Sequence, residues 1–68
     1  MIANREKALL AMARACMNAT DISEKAQMPE MTVKNVLAGR SVKPRTLGRV
    51  ARALGVDVTE LLEDRKET

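Results

Sequence analysis

The spacing of apolar residues in the first quarter of the chain predicts a helix. Asn4 can cap its start, because a short polar side chain accepts a hydrogen bond from the backbone of the first turn. Leu9, Met12, Ala13 and Cys16 then fall at positions i, i+3, i+4 and i+7, which share one face of a helix. We therefore predict a first helix that runs to about Cys16 and packs this stripe against the core.

A second, shorter helix is predicted after Asn18. This residue can cap the helix start, and Asp21, three residues on, completes an arrangement that resembles a capping box. Ile22 and Ala26 lie four residues apart on the expected inner face. Residues 27–29, Gln-Met-Pro, interrupt the pattern, because proline is tolerated in the first turn of a helix but not in its interior. A new helix is expected to begin there.

The third helix is predicted to run from Pro29 to Gly39. Val33, Val36 and Leu37 give it an inner stripe, and a glycine suits the left-handed conformation that ends many helices. Its other face consists of Glu30, Met31, Lys34, Asn35 and Ala38. One face of this short helix is therefore not needed for the core and is available to bind a partner.

Two more helices complete the predicted fold. After a loop at 40–43, Pro44 can open a fourth helix that Gly55 ends. Its inner stripe consists of Leu47, Val50, Ala51 and Leu54. Residues 57–60 resemble another capping box and predict a last short helix, while the polar residues 65–68 are expected to fray. The buried residues of this last helix are expected to be Val58, Leu61 and Leu62.

Chain length and composition agree with one small helical domain. The 68 residues suffice for a single domain, 1–68, and lack Trp, Tyr and Phe, so aliphatic residues and five Met must build the core. The predicted fold is all-α, a compact five-helix bundle.

Cysteine and histidine usage excludes some kinds of site. Cys16 is the single cysteine and cannot form an intramolecular disulfide, and a Cys/His zinc site is excluded because the chain has no histidine. We expect Cys16 to be a small buried apolar residue, with a redox sensor or an intermolecular bridge as the alternative.

The sequence lacks signals for a membrane or for export. No apolar run approaches the roughly 20 residues that cross a bilayer. Residues 1–4 give way directly to the charged residues 5–7, unlike a secretory signal. We therefore expect a cytoplasmic protein with no membrane partner.

The net charge of +3 is distributed unevenly along the chain. Residues 31–56 contain six basic residues and no acidic residue, whereas residues 57–68 carry more acids than bases. Such a basic middle suggests a face directed at a polyanion, although a solvated surface is the simpler interpretation. Arg49 and Arg52 either join that face or balance the acidic segment that follows.

Two short helices joined by about three residues suit a helix-turn-helix, in which the first helix lies across the DNA backbone and the second enters the major groove. Residues 17–62 read MNATDISEKAQMPEMTVKNVLAGRSVKPRTLGRVARALGVDVTELL. This segment resembles the phage repressor and Cro (XRE-like) helix-turn-helix family without a gap. The match includes a cap after an apolar residue, Glu-Lys-Ala, a glycine-ended third helix, and the ending RALGVDVTELL.

The resemblance implies a lambda-repressor-like DNA-binding domain that regulates transcription from operator DNA, usually as a two-fold homodimer. It places the recognition helix at about 30–38, and we expect the segment after Gly55 to join the contact between the two copies. The base-contacting positions that it implies are Glu30, Met31, Lys34 and Asn35. The phosphate-contacting positions that it implies are Asn18, Arg40, Ser41, Lys43 and Arg45.

The chemistry of these residues agrees with the implied roles. Asn35 can pair bidentately with adenine, and Met31 can cover a thymine methyl group. Glu30 either accepts a hydrogen bond from a cytosine amine or is only favoured by the dipole at the helix start. Gln27 stands where the family usually has glycine, which costs roughly 1 kcal/mol if the residue is left-handed. Pro29 stands where relatives usually have a capping side chain.

Other functions remain open at this stage. An antitoxin or a recombination accessory factor of a mobile element would use the same fold, and a protein-interaction module would use the third helix to bind an acidic partner. An enzyme is not expected, because the chain has no histidine, no nucleophile–base pair and no glycine-rich phosphate loop. We expect no cofactor and no small-molecule ligand.

Overall fold

The computed structural model describes residues 1–62, which form four α-helices and one single-turn 3-10 helix. The helices are α1 (Arg5–Ala15), α2 (Ala19–Ala26), α3 (Glu30–Leu37) and α4 (Pro44–Leu54), followed by the 3-10 turn (Val58–Glu60). The predicted all-α class is confirmed for these residues. The predicted fraying of 65–68 lies outside the described residues.

The predicted fifth helix is wrong within the described residues, which form a single 3-10 turn at Val58–Glu60 instead. The Asp57 carboxylate accepts hydrogen bonds from the backbone N–H and the hydroxyl of Thr59, which closes a single tight turn. The Leu61 carbonyl then accepts a hydrogen bond of 2.7 Å from the Asn4 N–H. This hydrogen bond pairs the segment after the turn with the start of the chain.

The polar caps at the starts of α1 and α2 form as predicted, whereas the capping box predicted at 57–60 does not, because Asp57 bonds Thr59 instead. Asn4 Oδ1 accepts a hydrogen bond of 2.9 Å from the Lys7 N–H at the start of α1. Asn18 and Asp21 form a complete capping box on α2, with hydrogen bonds of 2.8 and 3.0 Å between each side chain and the other residue's N–H. These caps satisfy donors that a helix start otherwise leaves unpaired.

Helix α4 supplies much of the core, as its pattern predicts. Its predicted inner stripe is buried throughout, and Ala53 is buried beside it. Pro44 is the first residue of the helix, and Gly55 ends it in the left-handed conformation with φ of 75°. Residues from the other elements meet α4 there; those with no exposed surface are Ile22, Val33, Val36 and Leu61.

The predicted inner face of α1 is wrong. Leu9, Ala13 and Cys16 are exposed, and Met12 is only partly buried. Cys16 is therefore not the buried residue that we expected; it ends the helix in the left-handed conformation with φ of 56°.

The buried face of α1 is instead made of alanines. Ala8 and Ala11 are buried and Ala15 is partly buried, and these residues are offset by one position from the predicted stripe. Because an alanine projects only a methyl group, the backbone of α1 can approach its neighbours closely. The larger Leu9 and Leu10 are left in solvent. None of the helices within residues 1–62 is both long and apolar enough to cross a bilayer.

Candidate nucleic-acid interface

Helices α2 and α3 are joined by a three-residue turn that begins at Gln27. This residue is left-handed, with φ of 56° and ψ of 53°, and its N–H donates to the Ser23 carbonyl. The glutamine thus adopts a conformation that favours glycine, and it bears a strain of roughly 1 kcal/mol. Pro29 then caps α3 without a side-chain hydrogen bond.

Helix α3 is oriented by its two valines. Val33 and Val36 are fully buried, so the opposite side of the helix faces solvent. Met31 and Lys34 are exposed there, with Met31 at 67%, and Asn35 is partly buried beside them. Three of the predicted base-contacting residues therefore share one outward face, at positions i, i+3 and i+4.

Glu30, the fourth predicted base-contacting residue, lies at the edge of this face and has two partners. The Thr20 hydroxyl donates a hydrogen bond of 3.2 Å to its Oε2 atom, and Lys34 Nζ lies 3.6 Å from the same oxygen. The carboxylate therefore joins the first turn of α2 to the first turn of α3. Lys34 offsets part of the negative charge that Glu30 brings to this surface.

Thr20 is a residue that the sequence reasoning missed. It lies in the first turn of α2, two residues after the Asn18 cap, and nothing in the local sequence places its hydroxyl near the start of α3. Only the packing of α2 on α3 brings it within hydrogen-bonding distance of a side chain ten residues away.

The loop after α3 is set by a helix-ending motif. Gly39 is left-handed, with φ of 82°, and its N–H donates to the Val36 carbonyl at 3.1 Å. The Arg40 N–H donates to the Asn35 carbonyl at 3.1 Å, which completes a Schellman arrangement. All five predicted phosphate-contacting residues are exposed: Asn18, Arg40, Ser41, Lys43 and Arg45.

The start of the chain supports this loop, which the sequence reasoning also missed. The Val42 N–H donates a hydrogen bond of 2.8 Å to the Met1 carbonyl, and Ala3 is buried between that contact and the pairing with Leu61 and Leu62. Residues 1–3 thus connect the loop to the segment after α4. A three-residue apolar segment is too short to show a periodic pattern, so the sequence gives no indication of such a contact.

The basic side chains of the loop keep their charge exposed. In the part of the chain that the structure describes, the ion pairs are Lys34 with Glu30 and Arg14 with Glu60, and neither involves the loop. Arg49 makes a contact that neither expectation included: its guanidinium donates a hydrogen bond of 3.1 Å to the Ala26 carbonyl and so caps the end of α2. Within residues 1–62, no three acidic or cysteine side chains lie close enough together to hold a metal ion.

Comparison with known proteins agrees with this geometry. The family model of the Cro/C1-type helix-turn-helix DNA-binding domain matches residues 10–67, which is most of the chain. No curated protein and no solved structure matches the chain significantly. The matched region contains α2, the turn, α3 and the basic loop, which are the elements that such a domain brings to DNA. The chain belongs to the Cro/C1-type helix-turn-helix DNA-binding domain family.

Proposed function

We propose that the chain is a sequence-specific transcriptional regulator, similar to Cro and the phage repressors, that acts by binding double-stranded DNA in the cytoplasm without a cofactor. The observation that supports this most is the outward face of α3 beside a basic loop whose charges have no acidic partner within residues 1–62. Recognition of a DNA sequence requires one surface that contacts base edges and, beside it, another that contacts phosphates.

In this proposal α3 enters the major groove and reads bases. Asn35 pairs with an adenine through its amide, Met31 covers a thymine methyl group, and Lys34 donates to a guanine. Around the groove, phosphates are bound by the exposed side chains of the loop, by Arg45 at the start of α4 and by Asn18. The capping box uses the Asn18 Oδ1 atom, so its side-chain amide nitrogen remains able to donate to a phosphate.

The proposed active form is a homodimer on a near-palindromic operator. One α3 helix of eight residues reaches only a few base pairs, too few to specify a site. Two copies related by a two-fold axis would bind half-sites about 34 Å apart.

Selection of bound sites from random duplex DNA tests the proposal. We expect a near-palindromic consensus and an affinity whose logarithm falls linearly with the logarithm of salt concentration, by roughly 0.9 per phosphate contacted. If no sequence is enriched and the chain binds an acidic protein tightly instead, the proposal is refuted and an interaction module is favoured. A single unrepeated site occupied by one chain would refute the dimer.

Two substitutions separate base reading from phosphate binding. Asn35→Ala should cost roughly 1–3 kcal/mol on the preferred site and relax one base position, with little effect on random DNA. Arg45→Ala should weaken binding to all sequences and lower the salt slope by roughly 1. Lys25→Ala is the control, because it removes an exposed positive charge from the last turn of α2, outside the proposed contact residues; an equal loss of slope in that variant would mean that only net charge matters.

Glu30→Gln tests whether the carboxylate reads a base. If Glu30 accepts from a cytosine amine, the selected consensus changes at one position in each half-site. If its function is only to hold Thr20 and Lys34, the consensus stays the same, and Thr20→Val has a similar small effect on affinity. Selection with both variants in parallel therefore distinguishes the two functions.

A further inference from the structure

The outward face of α1 carries two leucines that neither the core nor the proposed DNA surface uses. Leu9 and Leu10 are 63% and 52% exposed. The other large apolar side chains exposed within residues 1–62 are Met31, on the proposed reading face, and Met1. Ala13 is exposed one turn further along α1. The helix therefore presents an apolar strip to solvent.

Charges on the same face are arranged symmetrically about Leu10. Glu6 lies four residues before Leu10 and Arg14 lies four residues after it, so the three residues share one side of the helix. If two copies of α1 pack antiparallel around a two-fold axis at Leu10, Glu6 of each copy lies opposite Arg14 of the other. Leu10 then meets its own equivalent. The face is complementary to itself, as a two-fold contact requires.

We propose that this face of α1 is the contact surface for a second copy of the chain, with the two α1 helices antiparallel. A second copy is the partner that the pattern favours, because the symmetric arrangement satisfies both charges and covers both leucines with the same strip. The inference deepens the homodimer of the proposed function, on which it rests, and assigns that contact to α1 in place of the segment after Gly55.

The contact is small and therefore weak without DNA. An α-helix of 11 residues is about 16 Å long, too short to supply the roughly 800 Å² per partner of a standard interface. Two copies held on one duplex gain from their high effective concentration, so DNA reinforces the pairing. The pair between Arg14 and Glu60 within one copy, at 3.9 Å and largely exposed, does not compete strongly with it.

Charge exchange tests the proposal. Sedimentation equilibrium without DNA would compare the wild type with Glu6→Arg, Arg14→Glu, the double variant, and an equimolar mixture of the two single variants. Each single variant should weaken association by roughly 5- to 30-fold, because two attractive pairs become repulsive. The double variant should regain wild-type association. The mixture should associate more strongly than either component alone, because each chain then supplies the charge that the other lacks.

Matched variants separate the contact from folding and net charge. Glu24→Arg makes the same charge change at an exposed position of α2 and should leave association unchanged. Leu10→Ser should weaken association at least as much as either single charge variant, with the helical circular dichroism preserved because the side chain is exposed. Failure of the double variant to restore association would overturn the proposal, as would a wild type that stays monomeric at its highest soluble concentration.

The same variants keep this inference distinct from the proposed function. If operator selection succeeds while the charge variants pair normally, the homodimer uses another surface and the α1 contact is refuted. If the chain pairs through α1 but selects no DNA sequence, the regulatory function is refuted and the α1 contact stands.

Discussion

Helices α1 and α4 each contain 11 residues but bury different kinds of side chain. Helix α4 buries two leucines and one valine together with two alanines, and leaves its arginines in solvent. Helix α1 buries Ala8 and Ala11 and leaves Leu9 and Leu10 in solvent. A buried leucine stabilises a fold by about 1.5–3 kcal/mol, whereas a buried alanine contributes little area. The two helices are therefore held by different means: α4 by the area that it buries, and α1 by the close approach of its backbone.

The largest expected effect comes from cutting back a large side chain of α4. Leu47→Ala removes a fully buried group and should lower the free energy of unfolding by roughly 2–5 kcal/mol. Leu9→Ala is the matched control on α1 and should change it by no more than about 0.5 kcal/mol, because Leu9 is exposed. Urea denaturation measures both. A loss for Leu9→Ala comparable to that for Leu47→Ala would mean that α1 is held by its leucines after all.

The opposite substitution on α1 should have the next largest effect. Ala8→Leu adds volume where the backbone of α1 packs closely, and overpacking of this kind typically costs about 1–3 kcal/mol. Ala13→Leu makes the same change on the exposed face and should be almost neutral. Thermal unfolding of the two variants compares them directly. Equal stability would mean that α1 has space beneath it for a larger residue.

The contrast between these helices also shows why the sequence predicted one better than the other. Hydrophobic periodicity finds a face by its large apolar residues, so it located Leu47 and Val50 correctly. On α1 the same reasoning chose Leu9 and Cys16, because alanines give no clear signal of their direction. The prediction for α1 would have been correct if its largest apolar side chains were the buried ones.

Local rules predicted the helix ends well and the long-range contacts poorly. The Asn18 cap and the Gly39 ending depend on residues within a few positions, which the sequence displays. The contact between Thr20 and Glu30, and the support of the loop by Met1, depend on how elements pack and have no local signature. For the interface, the sequence therefore predicted which residues face outward but not the hydrogen bond that holds Glu30.

The ends of the two helices offer a third, smaller test. Both end in the left-handed conformation, α4 at Gly55 with φ of 75° and α1 at Cys16 with φ of 56°. Gly55→Ala should lower the free energy of unfolding by roughly 1 kcal/mol, and Cys16→Gly should raise it by up to about the same amount, because only glycine adopts this conformation without strain. Cys16→Ser retains the strain and is the control. A loss of stability in Cys16→Gly would show that the cysteine side chain makes a stabilising contact.

The smallest effect concerns the polar caps associated with the two helices, which differ in charge. Asn4, a neutral amide, caps α1, whereas the Asp57 carboxylate caps the 3-10 turn after α4. Hydrogen bonds from the hydroxyl and then the N–H of Thr59 hold the pKa of Asp57 below its ordinary value of 3.8. A carboxyl whose pKa is lowered by folding stabilises the protein at pH values above its ordinary pKa. This contribution is lost as the pH falls through the pKa of the folded state.

Exchanging the two caps isolates this effect from the other carboxylates, which titrate in every variant. Asp57→Asn should reduce the loss of stability between about pH 6 and about pH 3, because an amide oxygen accepts hydrogen bonds without titrating. Asn4→Asp should increase that loss, since it places a titrating carboxylate at the start of α1, where the negative form is favoured. Urea denaturation at the two pH values gives the differences. If Asp57→Asn loses as much stability between the two pH values as the wild type does, the 3-10 turn opens before the rest of the domain unfolds. A change in Asn4→Asp alone would show that the cap of the longer helix contributes to global stability and the cap of the 3-10 turn does not.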